Sequence, residues 1–161
     1  ARAISALTHY DPRAQQACVL WSLAIRHAIV HAEFDLRAGL TYLDDEATEY
    51  WTARIDEAEA GPPSRFSPNG WVVAALQAAW SAIVATPVPD VDPCRHLGAA
   101  LDTAIGIGDD TDTVAAIAGA LLGARWGASS VPARWRRILH GYPGISGEDL
   151  VRLAQRAVAG T

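Results

Sequence analysis

Methionine is absent from this sequence, and cysteine is scarce. The two cysteines among the 161 residues, Cys18 and Cys94, form no Cys-x-x-Cys pair and lie in segments with a helical pattern. A disulfide framework normally needs a larger set of cysteines in a small secreted chain. We therefore expect no disulfide framework, and a protein of the reducing cytoplasm.

An excess of positive charge is also lacking. Lysine and arginine total 13, whereas aspartate and glutamate total 18, so the formal net charge is −5. A phosphate backbone is normally bound by a basic face, and the basic segment 134–137 is too short to form one in an acidic chain. The sequence shows no signal peptide and no apolar run long enough to span a bilayer. Nucleic acids and membranes are therefore not expected partners.

Apolar residues, in contrast, are plentiful. Half of the chain is hydrophobic and 19% is charged, which is typical of a folded protein. The length suits one domain, so we interpret residues 1–161 as a single domain without internal boundary or repeat. The chain opens at Ala1 inside an apolar stretch that has no helix cap. We therefore expect the carboxy-terminal portion of a larger domain, with the amino-terminal part missing.

Apolar residues recur at helical spacing almost throughout the chain. Asp11, which precedes a proline, predicts one helix start, and Ser146 with Asp149 predicts another. Residues 44–60 are rich in acidic side chains and predict a largely exposed helix. Residues 112–126 are mostly small, so they predict a central helix that its neighbours approach closely. No segment alternates like a β-strand, and we predict an all-α fold.

One segment combines hard oxygen ligands with glycine. Residues 106–113 read Gly-Ile-Gly-Asp-Asp-Thr-Asp-Thr, with three carboxylates and two hydroxyls at the start of the small-residue helix. Aspartate and threonine also cap helices, and a single aspartate would need no other explanation. Three clustered carboxylates repel one another without a counter-ion, and Mg²⁺ or Ca²⁺ prefers such oxygen ligands. The segment therefore predicts a site for a hard cation.

Two known motifs can be compared with this segment. An EF-hand loop starting at Asp110 would need glycine at its sixth position and glutamate at its twelfth, where this chain has Ala115 and Leu121. Residues 110–114 do match the Asp-x-Asp-x-Thr/Val signature of haloacid-dehalogenase-like phosphatases. In those proteins the first aspartate ends a hydrophobic strand of an α/β fold, whereas the preceding segment here is helical. The phosphatase interpretation is kept as a minor alternative.

Residues 108–124 resemble the carboxy-terminal signature of the ADP-ribosylglycohydrolase family, which is Gly-x-Asp-x-Asp-Thr followed by a small-residue helix. Two weaker matches are Ala-Leu-Thr-His at residues 6–9 and Asn-Gly-Trp-Val-Val at residues 69–73. The family includes enzymes that remove ADP-ribose from modified proteins, among them the dinitrogenase reductase-activating glycohydrolases. This chain departs from the pattern at Asp109, where many relatives have a second glycine. It also lacks the family's amino-terminal Thr-Asp-Asp ligand set.

The resemblance implies a fold, a reaction and a site. The fold would be a compact orthogonal multi-helix bundle of the ADP-ribosylglycohydrolase type. The reaction would be Mg²⁺-dependent hydrolysis of the glycosidic bond between ADP-ribose and a modified protein side chain or a related ADP-ribosyl compound. Carried over by position, Asp110, Asp112 and Thr113 would bind Mg²⁺, commonly a pair of ions. His9 and Gly70 would contact the substrate, and the general base would lie in the missing amino-terminal half.

A second function stays open, because the family also includes members without activity, and a lens crystallin is similar to it. On that hypothesis the chain is a non-catalytic ADP-ribose-binding or structural relative. Loss of the Thr-Asp-Asp set from the full gene product would favour it, and an intact set would count against it.

The other histidines have simpler interpretations. His27 and His31 have the i, i+4 spacing of a zinc-binding pair, but no third ligand is evident. His96 and His140 have no evident partner. We predict that all four are surface residues.

The tryptophans are also explained most simply by packing. Trp21 and Trp80 lie on apolar helical faces and are predicted to be core residues. Trp71, next to Gly70 at a helix start, is predicted to pack as well, although its position would also suit stacking on adenine.

Overall fold

A computed structural model describes residues 1–160. Within that range the chain is built from α-helices and short 3-10 helices, apart from one two-stranded hairpin, so the predicted all-α fold is confirmed. The α-helices are α1 (Arg2–Ser5), α2 (Pro12–His31), α3 (Asp45–Ala60), α4 (Val72–Ala85), α5 (His96–Gly106), α6 (Thr111–Trp126), α7 (Ala133–Ile138) and α8 (Gly147–Ala159). The 3-10 helices are Arg37–Tyr42, Pro63–Arg65, Pro93–Arg95 and Ala128–Ser130, and the antiparallel strands are β1 (His140–Gly141) and β2 (Ile145–Ser146). None of the helices in the described range has the length and apolar character needed to cross a membrane.

Side-chain caps start helices at the predicted positions. Asp11 Oδ1 accepts hydrogen bonds from the backbone N–H groups of Arg13 (2.6 Å) and Ala14 (3.3 Å) at the start of α2. Ser146 and Asp149 form a reciprocal capping box at the start of α8. Each cap satisfies N–H groups that the first turn of a helix leaves without a partner. Both predicted helix starts are therefore confirmed.

Helix α6 packs against α2, α4 and α5, as its small side chains predict. Its buried residues are Val114, Ala118, Leu121 and Leu122. The indole N–H of Trp21 in α2 donates a hydrogen bond to the carbonyl oxygen of Ile117, at 3.1 Å. The opposite side of α6 is exposed at Asp112, Thr113, Ala116 and Ala120. One face of α6 is therefore buried in the core, while the face that carries the candidate ligands Asp112 and Thr113 is exposed to solvent.

The expectation that residues 44–60 form a largely exposed helix is wrong for one face of α3. The buried side chains of this helix are Ala47, Trp51, Ile55 and Ala58. They recur every three or four residues, which places them on one side of a helix that packs against α4. The acidic residues on the other side of α3 make the segment polar on average, so its composition does not reveal the buried stripe. Trp21 and Trp80, in contrast, are buried as predicted.

His96 is buried, so its prediction as a surface residue is wrong. Its side chain lies between α4 and α6, with Nε2 at 3.1 Å from the carbonyl oxygen of Ile83 and 3.0 Å from that of Thr86. The indole N–H of Trp126 donates to Nδ1 at 3.3 Å. Two carbonyl acceptors at Nε2 and a donor at Nδ1 require the neutral tautomer with hydrogen on Nε2. Burial lowers the pKa of His96 below its ordinary value, and the charge of Arg125 lowers it further, against the opposing effect of the two carbonyls.

This burial predicts a loss of stability in mild acid. The pKa of His96 is lower in the folded state than in the unfolded state. Its contribution to the stability of the fold is therefore complete above the unfolded pKa of about 6.5 and is lost as the pH falls through the folded-state pKa. We expect the free energy of unfolding to decrease as the pH falls from 6.5 to the folded pKa, by at most about 1.4 kcal/mol per pH unit, measured by urea denaturation. His96→Gln should reduce the pH dependence of the free energy of unfolding, and a substitution of the exposed His140 should leave that dependence unchanged. An unchanged slope in His96→Gln would show that another group is responsible.

Candidate active site

A sharp turn connects α5 to α6 and carries the acidic cluster. Gly108 has φ +91° and Asp109 has φ +58°, so two successive residues adopt left-handed backbone conformations. Glycine enters this region without strain, and aspartate is one of the few other residues found there. The turn redirects the chain so that α6 begins at Thr111, directly after the first predicted ligand.

Asp110 and Asp112 flank this helix start with unpaired carboxylates. Asp110 occupies the N-cap position of α6, yet its side chain forms no capping hydrogen bond, and Asp112 lies in the first turn. Neither carboxylate forms a hydrogen bond or an ion pair with any residue in the range 1–160. Capping therefore does not explain Asp110. The two carboxylates remain available to a cation.

The loop of residues 62–71 is attached to this turn by the side chains of Ser67 and Asn69, to which the sequence assigned no role. Asn69 is fully buried. Its Nδ2 donates to the carbonyl oxygen of Gly108 at 3.2 Å, and its Oδ1 accepts from the backbone N–H of Asp110 at 2.9 Å. The hydroxyl of Ser67 donates a hydrogen bond to the carboxylate of Asp109. The weak motif around Gly70 was the only signal that pointed to this segment.

An open cavity of about 770 Å³ adjoins the start of α6. His9, Gly70 and Thr113 all contribute to its lining. These residues come from the segment before α2, the segment before α4 and the first turn of α6. The structure therefore brings together both predicted substrate contacts and one predicted metal ligand. Asp112 directly precedes Thr113 and Asp110 lies three residues before it, but neither aspartate lines the cavity.

The cavity wall offers both polar and apolar groups. His9 Nδ1 lies 2.9 Å from the hydroxyl oxygen of Thr8. Trp71 is 56% exposed at the cavity, so it is not a core residue as Trp21 and Trp80 are. The one carboxylate among the lining residues in the described part of the chain is Asp11, and its Oδ1 already caps α2.

The donor set at the start of α6 suits magnesium more than a metal that needs a complete protein cage. Mg²⁺ is commonly held by one or two carboxylates together with water and substrate oxygens. Asp110, Asp112 and Thr113 offer two carboxylates and a hydroxyl within four residues. Across residues 1–160 there is no group of three or more His, Cys, Asp or Glu arranged to hold a metal.

The histidine pair in α2 does not join a larger set of metal ligands within residues 1–160. The rings of His27 and His31 lie 4.5 Å apart between centroids, and His27 Nε2 lies 3.9 Å from the carboxylate of Glu33. His31 is exposed, as predicted, while His27 is half-buried.

Comparison with known proteins gives a consistent result. The sequence profile of the ADP-ribosylglycohydrolase family matches residues 1–161. The human protein ADP-ribosylhydrolase ARH3 is 31% identical over 111 residues, which cover 64% of this chain and 31% of that relative. The match thus spans about a third of the length of the human protein. No solved structure matches the chain. From the profile match across all of its residues, the chain belongs to the ADP-ribosylglycohydrolase family.

Proposed function

We propose that this chain supplies the carboxy-terminal part of a Mg²⁺-dependent active site that hydrolyses the glycosidic bond of ADP-ribosyl groups. The observation that carries the proposal is the convergence of His9, Gly70 and Thr113 on one cavity. The resemblance assigns roles to these three residues independently of their positions in space. Their meeting in the lining of one cavity is what a shared substrate site requires.

The unpaired carboxylates beside the cavity support the metal part of the proposal. Asp110 and Asp112 would hold Mg²⁺, with the hydroxyl of Thr113 as a third oxygen ligand. Bound Mg²⁺ would supply Lewis-acid chemistry, orienting ribose hydroxyls and polarising a water molecule. The position of Thr113, on both the ligand segment and the cavity wall, would bring the substrate to the metal.

The size and lining of the cavity suit a nucleotide-like ligand. Small-molecule sites usually measure about 300–1,000 Å³ and combine apolar walls with a few polar groups. The cavity of about 770 Å³ lies within this range. Trp71 would stack on the adenine ring, and His9 would bind a polar group of the ADP-ribose.

The general base is the part of the site that we assign to no residue in the range 1–160, because the family pattern places it in the amino-terminal half. Asp11 is the carboxylate on the cavity wall, and the N–H groups of Arg13 and Ala14 already occupy its Oδ1. We therefore propose that the remainder of the family domain brings the base and further metal ligands. The substrate would be an ADP-ribosylated protein or a related compound.

Calorimetric titration of ADP-ribose into the chain tests this proposal. We expect binding in the presence of Mg²⁺ and none with EDTA. His9→Ala should weaken it about tenfold, the effect of one lost polar contact of about 1.4 kcal/mol. His140→Ala removes an exposed histidine outside the cavity and is the matched control.

A null result with the chain alone calls for the same titration in the complete gene product. Binding and hydrolysis there would support the proposal. Binding without hydrolysis would identify a non-catalytic relative, and no binding in either form would refute the assignment of the cavity to ADP-ribose.

A further inference from the structure

We infer that Asn69 is a positioning residue, which holds residues 107–110 in the conformation that Asp110 and Asp112 need in order to bind Mg²⁺. The inference rests on the proposed function and assigns a role to a residue outside the ligand and substrate sets. This role also accounts for the attachment of the loop of residues 62–71 to the start of α6.

The side chain of Asn69 is matched to the backbone that it contacts. It is the only asparagine in the chain and is 0% exposed. Its amide donates to the carbonyl oxygen of Gly108 and accepts from the N–H of Asp110, so its two hydrogen bonds lie on either side of Asp109. An amide is a neutral group that donates and accepts at once. An aspartate at position 69 would lack the N–H donor, and an alanine would lack both the donor and the acceptor.

The turn between these two hydrogen bonds needs such support. Asp109 has φ +58°, a left-handed conformation that costs energy for any residue other than glycine. Such conformations persist where surrounding contacts hold them. Asn69 supplies two contacts, and the hydroxyl of Ser67 supplies a third through the Asp109 carboxylate. All three come from the same neighbouring loop.

Asn69 directly contacts Asp110, one of the proposed metal ligands. Asn69 binds the backbone N–H of Asp110 itself, so a shift in that hydrogen bond moves the carboxylate that would hold the metal. Partners that orient a ligating side chain typically change metal affinity about 10- to 100-fold when they are replaced, and we expect a change of this order because Asn69 fixes the backbone that carries Asp110. A residue that only filled space would change stability and leave metal affinity unaltered.

NMR of the ¹⁵N-labelled chain separates these roles. The first measurement is hydrogen exchange of the Asp110 amide without metal. The second is the Mn²⁺ concentration that broadens the amide signals of residues 110–113, together with its reversal by Mg²⁺. The variants are Asn69→Ala and the milder Ser67→Ala, which changes an exposed side chain and so preserves folding. Gln77→Ala is the control, because Gln77 is another buried amide and donates to the carbonyl oxygen of Arg54 and to Glu57.

We expect Asn69→Ala to accelerate exchange at Asp110 about tenfold, the effect of one lost hydrogen bond on local opening. The half-broadening Mn²⁺ concentration should rise about 10- to 100-fold. Ser67→Ala should raise that concentration by a smaller factor than Asn69→Ala does, and Gln77→Ala should change neither quantity. Unchanged Mn²⁺ affinity in a folded Asn69→Ala, or in Ser67→Ala if Asn69→Ala does not fold, would overturn the inference and leave the proposed function standing. If the unaltered chain and the complete gene product both fail to bind Mn²⁺ and Mg²⁺, the proposed metal site fails, and this inference fails with it.

Discussion

Replacement of Asp112 by alanine is expected to weaken Mg²⁺ binding about 100-fold or more. This exceeds the loss usually seen for residues that merely orient a ligand, because Asp112 would contact the ion itself. Its carboxylate has no hydrogen bond or ion pair within residues 1–160, so the substitution breaks no existing contact of that kind. Fold and thermal stability should therefore be retained. Mg²⁺ competition against Mn²⁺ broadening measures the affinity. On the proposed function, hydrolysis by the complete gene product should fall in parallel.

Asp45→Ala is the matched control for this prediction. Asp45 is an exposed aspartate in the first turn of α3, as Asp112 is in the first turn of α6. It therefore controls for the loss of one negative charge near a helix amino terminus. Equal Mg²⁺ affinity in Asp112→Ala and the unaltered protein would show that Asp112 is not a ligand. Equal losses in both variants would indicate a general charge effect.

Replacement of Trp51 by alanine is expected to destabilise the fold by about 3–5 kcal/mol. Trp51 is 0% exposed within the buried stripe of α3, and its indole N–H donates to Gln16 in α2 at 2.9 Å. The substitution removes a large apolar side chain, leaves a cavity and removes this link between helices. A domain of this size is stable by about 5–15 kcal/mol, so the loss would be a large part of the total. Urea denaturation followed by circular dichroism measures it.

Trp71→Ala provides the comparison for Trp51→Ala. Trp71 is 56% exposed, so its removal should cost about 1 kcal/mol or less. On the proposed function, the same change should weaken ADP-ribose binding. A large loss of stability in Trp71→Ala, with ADP-ribose binding retained, would indicate that Trp71 packs in the fold and does not bind the substrate.

The helices and their starts could be predicted because their signals are local. The caps at Asp11 and Ser146 and the periodic apolar residues act within a few positions along the chain. The exposed or buried state of a helix face was harder to predict. In α3 the acidic side chains concealed the stripe that contains Trp51. His96 was predicted to lie at the surface, since its partners, Ile83, Thr86 and Trp126, are distant in sequence.

The sequence by itself determined the all-α class, the family resemblance and the candidate ligand segment, because Asp110, Asp112 and Thr113 are close neighbours along the chain. Only the tertiary structure decided which residues join them. His9 and Gly70 meet Thr113 at one cavity through the packing of α2, α4 and α6. Asn69 reaches Asp110 across 41 positions. Such contacts depend on how helix faces pack, and a hydrogen bond between distant residues leaves no periodic pattern in a sequence.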